Sequence, residues 1–252
     1  MPGTETRIRM FRWYHRVQQR LAPRLRYAQD LFEKALDDAV APGCRWLDVG
    51  CGHQLLPAWR LQQEESLVSR AGIVVGIDLD FPALREHRSF DHVCMASATH
   101  LPFADATFDL VTANMVVEHL DDPVTQFREI CRVLKPGGRF IFHTPNVFGY
   151  TTIGARMVPE AFKAGIVRFM EGREEKDLFP AHYRANSRRQ IASVARVAGL
   201  EVTDFRLVAS AAQFVMIPPL AMVELLWIRL LMTRPFRGMR TNIIACLSRP
   251  TS

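Results

Sequence analysis

Cysteine is scarce and scattered in this 252-residue chain. The five cysteines are odd in number and include no Cys-x-x-Cys pair: Cys44, Cys51, Cys94, Cys131 and Cys246. A disulfide framework needs paired cysteines, and a structural zinc site usually needs closely spaced ones. The sequence therefore argues against both and predicts no bound metal. It favours a reducing compartment, and we expect the cytoplasm.

The N-terminus lacks an apolar run of the kind a signal peptide has, because Arg7, Arg9, Arg12 and Arg16 interrupt it. The sequence shows no RNA-binding module of the kind in which aromatic and basic residues are interleaved. The chain is nevertheless basic, with a formal net charge of +6, and its arginines cluster towards both ends. Such a surface can be merely solvated, or it can attract anionic lipid, an acidic substrate or nucleic acid. Nucleic acid is the partner that we expect least.

The segment Trp46-Leu-Asp-Val-Gly-Cys-Gly52 is the most informative one in the chain. Its apolar residues predict a buried strand over 45–49, followed by a turn in which glycine lets a ligand approach the main chain. A second apolar segment predicts a strand over 73–78 that ends at Asp78. A carboxylate at that place can accept both hydroxyls of a ribose. Together the two segments predict a site for a nucleoside-containing cofactor.

The details of the turn argue against a dinucleotide. Leu55 stands where the motif Gly-x-Gly-x-x-Gly has its third glycine. A pyrophosphate needs the following helix packed close, with its N-terminal amides free. Asp48, two residues before Gly50, would repel a phosphate, whereas it suits a cofactor with an ammonium group. These residues favour S-adenosylmethionine.

Three later blocks support this choice: Leu-Pro-Phe-Ala-Asp-Ala-Thr-Phe-Asp-Leu-Val at 101–111, Val-Glu-His-Leu at 117–120 and Arg-Val-Leu-Lys-Pro-Gly-Gly at 132–138. In this order, and after the glycine turn, they strongly resemble the class I S-adenosylmethionine-dependent methyltransferases. The resemblance is to the small-molecule branch that includes ubiquinone and menaquinone biosynthesis enzymes. It is specific over about 44–146 and looser to about residue 210.

The resemblance implies a role for each residue of the predicted pocket. The methionine end of the cofactor would be held by the first strand tip and the turn: Asp48, Gly50, Cys51 and Gly52. Asp78 would bind the ribose and Leu79 would flank the adenine. Many relatives have an aspartate at position 97, but this chain has Ser97, whose hydroxyl is a weaker acceptor for the adenine amino group. The Ala98 amide can still donate to the ring, and Asn114 would line the methionine end.

The chemistry implied is direct transfer of the sulfonium methyl, so the protein must align donor and acceptor and sometimes remove a proton. His119 follows the fourth strand, and histidine is the residue type that most often serves as a general base, although this one can equally be a structural residue of that loop. His182 and Tyr183 are placed either to contact an acceptor or to pack a lid. These three residues are the catalytic candidates.

The alternation of strand and helix patterns predicts a doubly wound, Rossmann-like α/β fold with helices on both faces. Seven strands are expected, mostly parallel with the last antiparallel, at 45–49, 73–78, 92–96, 108–113, 139–144, 200–209 and 242–247. Helices are expected over 10–40, around Leu55, Leu56 and Trp59, over 124–134, and from Ser187, where Gln190 completes a capping box. Gly199 is expected to end that last helix.

Three additions to the plain fold are predicted: one precedes the predicted methyltransferase domain, which spans 41–252, and two lie within it. They are a basic helical extension over 1–40, a lid or substrate insertion over 145–186 and an apolar helical insertion over 211–240. The run from Leu220 to Met232 is too short to span a bilayer. It can pack on the core or on a second subunit as a homodimer contact, or the segment 218–240 can lie in a membrane interface.

The predicted function is therefore S-adenosylmethionine-dependent methyl transfer to a small molecule, at a hydroxyl of a lipid-like metabolite, quinone precursor, natural product or glycan. One alternative keeps the reaction and makes RNA or protein the acceptor. Another is a cofactor-binding partner subunit without activity, suggested by Ser97, Gln54 and the absence of a clear base.

Overall fold

The computed structural model describes residues 4–157 and 180–251. One sheet has the strand order β3-β2-β1-β4-β5-β7-β6. Its strands are β1 (Arg45–Val49), β2 (Ile73–Asp78), β3 (His92–Met95), β4 (Phe108–Asn114), β5 (Leu134–Pro145), β6 (Glu201–Val208) and β7 (Asn242–Ser248). The pairings from β3 through β5 are parallel, and the sheet ends in antiparallel pairing. The predicted fold class is confirmed.

The strand order reverses between β1 and β4, because β2 and β3 lie on one side of β1 and the later strands lie on the other. In open α/β sheets, ligands bind outside the carboxyl ends of the strands at such a switch point. The Gly50–Gly52 turn leaves β1 at this point, and Asn114 ends β4 beside it. The topology therefore places the predicted site residues of these two strands at the same crevice.

The described part of the chain contains helices in both its N-terminal and C-terminal halves. They are α1 (Thr4–Leu21), α2 (Ala28–Ala39), α3 (Leu61–Arg70), α4 (Phe81–Arg85), α5 (Pro123–Val133), α6 (Tyr150–Met157), α7 (Arg188–Ala198) and α8 (Pro218–Leu231). The capping prediction for α7 is confirmed, since the Ser187 hydroxyl accepts from the Gln190 amide and Gly199 ends the helix with φ 82°. Within the described ranges, no helix has the length and apolar character needed to cross a bilayer.

Two helix predictions were wrong in extent. The helix expected over 10–40 is two helices, α1 and α2, because the non-helical segment between them contains Pro23, which cannot donate a backbone hydrogen bond. The helical region expected around Leu55 and Leu56 begins only at Ala58, with a short 3-10 turn before α3. Glu64 accepts a hydrogen bond from the Leu56 amide at 2.8 Å, which holds this buried loop outside the helix.

The chain divides into two compact units. The sheet unit comprises Gln29–Thr144, Ala181–Arg206 and Ile243–Ser252, and the accessory unit comprises Met1–Ala28, Pro145–Pro180 and Leu207–Asn242. The three predicted additions supply most of the accessory unit. Part of the predicted insertion over 145–186 lies outside the described residues, which omit 158–179.

Each unit has its own buried apolar side chains. In the sheet unit, large residues without exposed surface line the two faces of the central strands and include Trp46, Phe108, Phe127, Phe140 and Phe142. In the accessory unit, α1 packs against α8 around Tyr14, Leu25, Val215, Leu225 and Ile228. Burial of apolar side chains stabilises a fold by roughly 25 cal/mol for each Å² of apolar surface removed from water.

Candidate functional site

The turn after β1 is built on two glycines in left-handed conformation, Gly50 with φ 71° and Gly52 with φ 55°. A Cβ atom on Gly50 would lie 2.3 Å from Val116 Cγ2, so a larger residue there requires the Val116 side chain in the loop after β4 to move. A Cβ atom on Gly52 would meet nothing within 4 Å. The turn is thus packed on one side and open at Gly52, where a ligand can reach the main chain.

Asp78 faces this turn from the tip of β2. Its Oδ2 accepts from the Gly52 amide at 2.8 Å, and its Oδ1 accepts from the Asp80 amide at 2.9 Å. The side chain is partly exposed, and each carboxylate oxygen retains a second lone pair. The backbone therefore fixes the orientation of a carboxylate that can still accept two hydroxyl donors.

Asp48 lies within β1, in register with Gly76 of β2, and is only 3% exposed. Its Oδ1 accepts from the Thr112 hydroxyl, which in turn accepts from Trp46 Nε1 at 2.7 Å. Burial raises the pKa of Asp48 to about 7, and the neighbouring charge of Asp78 adds to the rise. A positive ligand group close to this carboxyl would favour its ionised form.

Cys51 takes part in the turn through its backbone. Its amide donates to the Ile77 carbonyl at 3.1 Å, while its side chain is buried against Gly76, whose Cβ position would lie 2.6 Å from the sulfur. Burial raises the pKa of this thiol, which keeps it protonated. The structure therefore assigns the thiol to packing and leaves only the main chain of Cys51 to a ligand.

An ion-pair cluster that the sequence analysis missed holds the loop beyond the turn. Arg88 Nη2 lies 2.6 Å from Glu64 Oε2, and Glu64 is fully buried. The same guanidinium donates to the Leu56 carbonyl at 2.7 Å and to Gln54 Oε1 at 3.1 Å. No local sequence pattern links Arg88 to the turn, because the partners come from 24 to 34 residues away.

The predicted adenine-side residues follow β2 and β3. Leu79 is 67% exposed beside Asp78. Ser97 and Ala98 lie just beyond β3, and the Ser97 hydroxyl lies 2.8 Å from the Thr99 hydroxyl. Because the Thr99 amide also donates to Ser97 Oγ, at 3.3 Å, this hydroxyl already has a local role in shaping the loop.

Asn114 and the following Met115 end β4 in a constrained geometry. Asn114 Oδ1 lies 2.9 Å from His143 Nδ1, and burial lowers the pKa of His143 to about 4, so this imidazole is neutral at physiological pH. Met115 has φ 58°, and its amide donates to the His143 carbonyl at 2.8 Å. A non-glycine residue in this region stores strain, and such residues cluster at functional sites. Met115 is 43% exposed.

The three catalytic candidates are brought to one loop by Glu118. The Glu118 carbonyl accepts from the amides of His182 and Tyr183, at 2.7 and 3.1 Å. Its carboxyl is buried, accepts from the Thr144 hydroxyl at 2.8 Å and lies 3.9 Å from His119 Nε2. Burial raises the pKa of Glu118. The segment that carries His182 and Tyr183 is therefore fastened to the loop after β4, next to His119.

A buried hydroxyl–amide chain extends this arrangement. Thr144 Oγ1 accepts from Asn186 Nδ2 at 2.8 Å, which ties the end of β5 to the segment before α7. In the sequence, these hydrogen-bonded residues are marked only by being polar among apolar neighbours. The same holds for Thr112 in β4. Among residues 4–157 and 180–251, no cluster of three or more histidine, cysteine, aspartate or glutamate side chains is arranged to hold a metal ion.

Comparison with known proteins identifies relatives of this chain. Residues 47–142 match a family model described as a methyltransferase domain. Ubiquinone biosynthesis O-methyltransferase of Idiomarina loihiensis is 35% identical over 41% of this chain and 43% of its own length. The enzyme of the same name from Pseudomonas entomophila is 30% identical over 67% of this chain and 70% of its own length.

The solved structures agree at the level of the fold. A SAM-dependent methyltransferase structure from Methanosarcina mazei superposes with a TM-score of 0.57 at 15% identity and covers 86% of this chain and 98% of that one. In sequence, the chain spans about half the length of several curated relatives that it matches, from 43% to 53% in three of them. The residues matched by the family model, 47–142, include the glycine turn, Asp78 and the loop after β4.

Proposed function

Because this chain belongs to the class I S-adenosylmethionine-dependent methyltransferases, we propose that it transfers a methyl group to a hydroxyl of a small molecule. S-adenosylmethionine is the cofactor, and when bound it supplies an electrophilic methyl on a sulfonium. The observation that carries the proposal is the oriented Asp78 carboxylate opposite the open Gly52 turn. The chain's residues provide binding, orientation and proton management.

The residues present fit this cofactor. Asp78 would accept the ribose hydroxyls, since its orientation is fixed by the Gly52 and Asp80 amides. Leu79, exposed beside it, would cover one face of the adenine. Ser97 and the Ala98 amide would meet the adenine edge. A dinucleotide fits less well, because the loop after Gly52 is held outside a helix and offers a pyrophosphate no helix N-terminus.

At the methionine end, Asp48 and Asn114 would flank the main chain of Gly50, Cys51 and Gly52. Asp48 suits an ammonium group. Its carboxyl is buried, with a pKa raised to about 7, and a nearby positive charge would stabilise the ionised carboxylate. Its bond from Thr112 keeps the carboxyl in one orientation.

For the acceptor, we propose His119 as the group that takes the hydroxyl proton. Its ring is about one-third exposed and lies next to the buried Glu118, which would stabilise an imidazolium. His182 and Tyr183, fastened to the same loop, would position the acceptor. A general base of this kind contributes roughly 10²–10⁴-fold to rate.

The acceptor class is proposed as a lipid-like metabolite of the quinone-precursor kind, with natural products and glycans as further candidates. The names of relatives support the quinone-precursor class, since they include ubiquinone biosynthesis O-methyltransferases. A cytoplasmic reaction is part of the proposal and agrees with the scattered cysteines, all of which are free.

A methyl-transfer screen tests this function. The purified protein is incubated with methyl-labelled S-adenosylmethionine and a host metabolite extract, and labelled products are identified by mass. We expect a labelled O-methyl product with wild type and a slower appearance of it with His119→Ala. Label recovered only in RNA or protein, or no label transferred from any extract, would contradict the proposal.

A further inference from the structure

Helix α8 exposes an apolar face. Val223 is 66% exposed, Leu226 51%, Leu220 46% and Leu230 37%. At 100° per residue these four side chains fall on one side of the helix, opposite the buried Ala221, Leu225 and Ile228. Isolated apolar residues on a surface need no explanation, but a continuous row along a helix indicates an interaction surface.

The single acidic residue of α8 is turned away from this face. Glu224 is buried, accepts from the Tyr150 hydroxyl at 2.8 Å and accepts from the Phe214 amide at 2.9 Å. The charged residue on the outer side is Arg229, which is exposed. The outward face of α8 therefore combines apolar side chains with positive charge and carries no carboxylate.

The surrounding accessory unit is strongly basic. Its described residues contain twelve arginines and two acidic residues, Glu5 and Glu224. Helix α1, which packs against α8, exposes an arginine at nearly every turn: Arg7, Arg9, Arg12, Arg16 and Arg20. Beyond α8, Arg234 and Arg237 are also exposed. On α1, Ile8 and Phe11 are about half exposed between the arginines.

Apolar side chains flanked by arginines are what a helix needs to lie in the interface of an anionic bilayer. The apolar face enters the acyl boundary and the arginines contact lipid phosphates. Trp227, partly buried and with its ring 6.3 Å from that of Phe236, lies on the same helix, and tryptophan favours this depth.

We infer that the accessory unit docks on an anionic membrane surface through the outward face of α8 and the exposed arginines of α1. A second copy of the chain fits this surface less well, because it would bring arginines against arginines. Nucleic acid would satisfy the arginines but leave the row of leucine and valine side chains in water. The inference rests on the accessory unit alone and holds whatever the sheet unit methylates.

Vesicle flotation with the full-length protein tests this inference. Vesicles of phosphatidylcholine alone are compared with vesicles that also contain phosphatidylglycerol. We expect the protein to float with the anionic vesicles, to stay at the bottom with the neutral ones and to be released by salt. Each arginine near an anionic surface contributes roughly five-fold to binding, so Arg12→Gln with Arg16→Gln should weaken it roughly 25-fold.

The apolar contribution is tested by Val223→Asp with Leu226→Asp, which should reduce binding at least about ten-fold. Both positions are exposed, so the thermal midpoint should remain near that of wild type. The matched control is Val197→Asp, at a 47% exposed valine of α7 in the sheet unit, and it should bind vesicles as wild type does.

Several results would overturn the inference. The first is wild-type protein that stays at the bottom of the gradient in the presence of anionic vesicles. The second is a double variant, Val223→Asp with Leu226→Asp, that binds anionic vesicles as strongly as wild type does. Dimerisation in sedimentation that the same variant abolishes, without vesicle binding, would assign the face to a second copy. Salt-sensitive RNA binding in the absence of vesicle binding would assign the arginines to nucleic acid.

Discussion

The two units of this chain use charge in opposite ways. The sheet unit has 16 basic and 19 acidic residues, and many are paired with each other, as in Arg88–Glu64, Lys135–Asp109 and Arg132–Glu129. The accessory unit has 16 basic and 7 acidic residues. Charges in the sheet unit hold loops and present two carboxyls. The described arginines of the accessory unit, apart from the half-buried Arg240, are exposed, and only two acidic residues, Glu5 and Glu224, lie among the described residues of that unit. We attribute small-molecule chemistry to the first unit and surface attachment to the second.

Asp78→Ala is expected to give the largest difference between the two units, because it should weaken cofactor binding by the sheet unit and leave vesicle binding by the accessory unit unchanged. It removes the proposed acceptor for two ribose hydroxyls, and hydrogen bonds to a charged group contribute about 1.5–3 kcal/mol each, so affinity should fall roughly 100-fold or more. Calorimetric titration with S-adenosylmethionine measures this. Vesicle flotation of the same variant should be unchanged.

The matched control is Asp91→Ala, at an exposed carboxylate before β3. If this control and Asp78→Ala lose affinity equally, the assignment of the ribose site to Asp78 is wrong. If Asp78→Ala also loses vesicle binding, the two units are not functionally separate.

Gly50→Ala should destabilise the protein, by about 1–3 kcal/mol. The cost has two sources, the φ of 71° and the Cβ position 2.3 Å from Val116 Cγ2. Adding Val116→Ala should recover only the part due to the clash. Thermal unfolding followed by circular dichroism measures both variants.

Gly154→Ala, in the accessory unit, is the control for Gly50→Ala. Gly154 lies within α6, and a Cβ atom there would meet nothing within 4 Å, so alanine should be neutral or slightly stabilising. Equal losses at Gly50 and Gly154 would mean that the close approach in the turn does not constrain the sequence.

Asp48→Asn should change the pH dependence of both stability and cofactor binding. Burial raises the pKa of Asp48 from 3.8 to about 7, so its contribution to stability is present below pH 4 and is lost as the pH rises to 7. Asparagine should remove this decline and raise the thermal midpoint at pH 8. Thermal scans at pH 5 and pH 8 measure the change.

Binding should show the reverse trend, because an ammonium group favours the ionised carboxyl. Affinity for S-adenosylmethionine should rise roughly ten-fold between pH 6 and pH 8 in wild type and stay flat in Asp48→Asn. Calorimetry in two buffers of different ionisation enthalpy would show proton release on binding. A wild-type affinity independent of pH would contradict a contact between Asp48 and the cofactor.

Sequence reasoning succeeded where a local pattern is sufficient. The strands through Asp48 and Asp78 are short apolar runs ended by glycine or an acid, and all seven strands were located to within a few residues apart from the longer start of β5. The cap at Ser187 needed only Gln190 three residues later. Such signals arise within a few residues and do not depend on the rest of the fold.

Prediction from the sequence failed where residues far apart in the chain determine the local structure. The loop through Leu55 and Leu56 is held outside a helix by Glu64, whose charge is neutralised by Arg88. Likewise, the Glu118 carbonyl that fastens the segment of His182 lies more than 60 residues away along the chain. Tertiary contacts of this kind override helical spacing, and single-sequence patterns do not contain them.

Hydrogen–deuterium exchange with and without S-adenosylmethionine tests the central claim most directly. We predict slower exchange in peptides that cover 48–54, 78–80 and 96–99, with little change in α1 and α8. Protection confined to the accessory unit, or none at saturating cofactor, would contradict a cofactor site at the tips of β1 and β2.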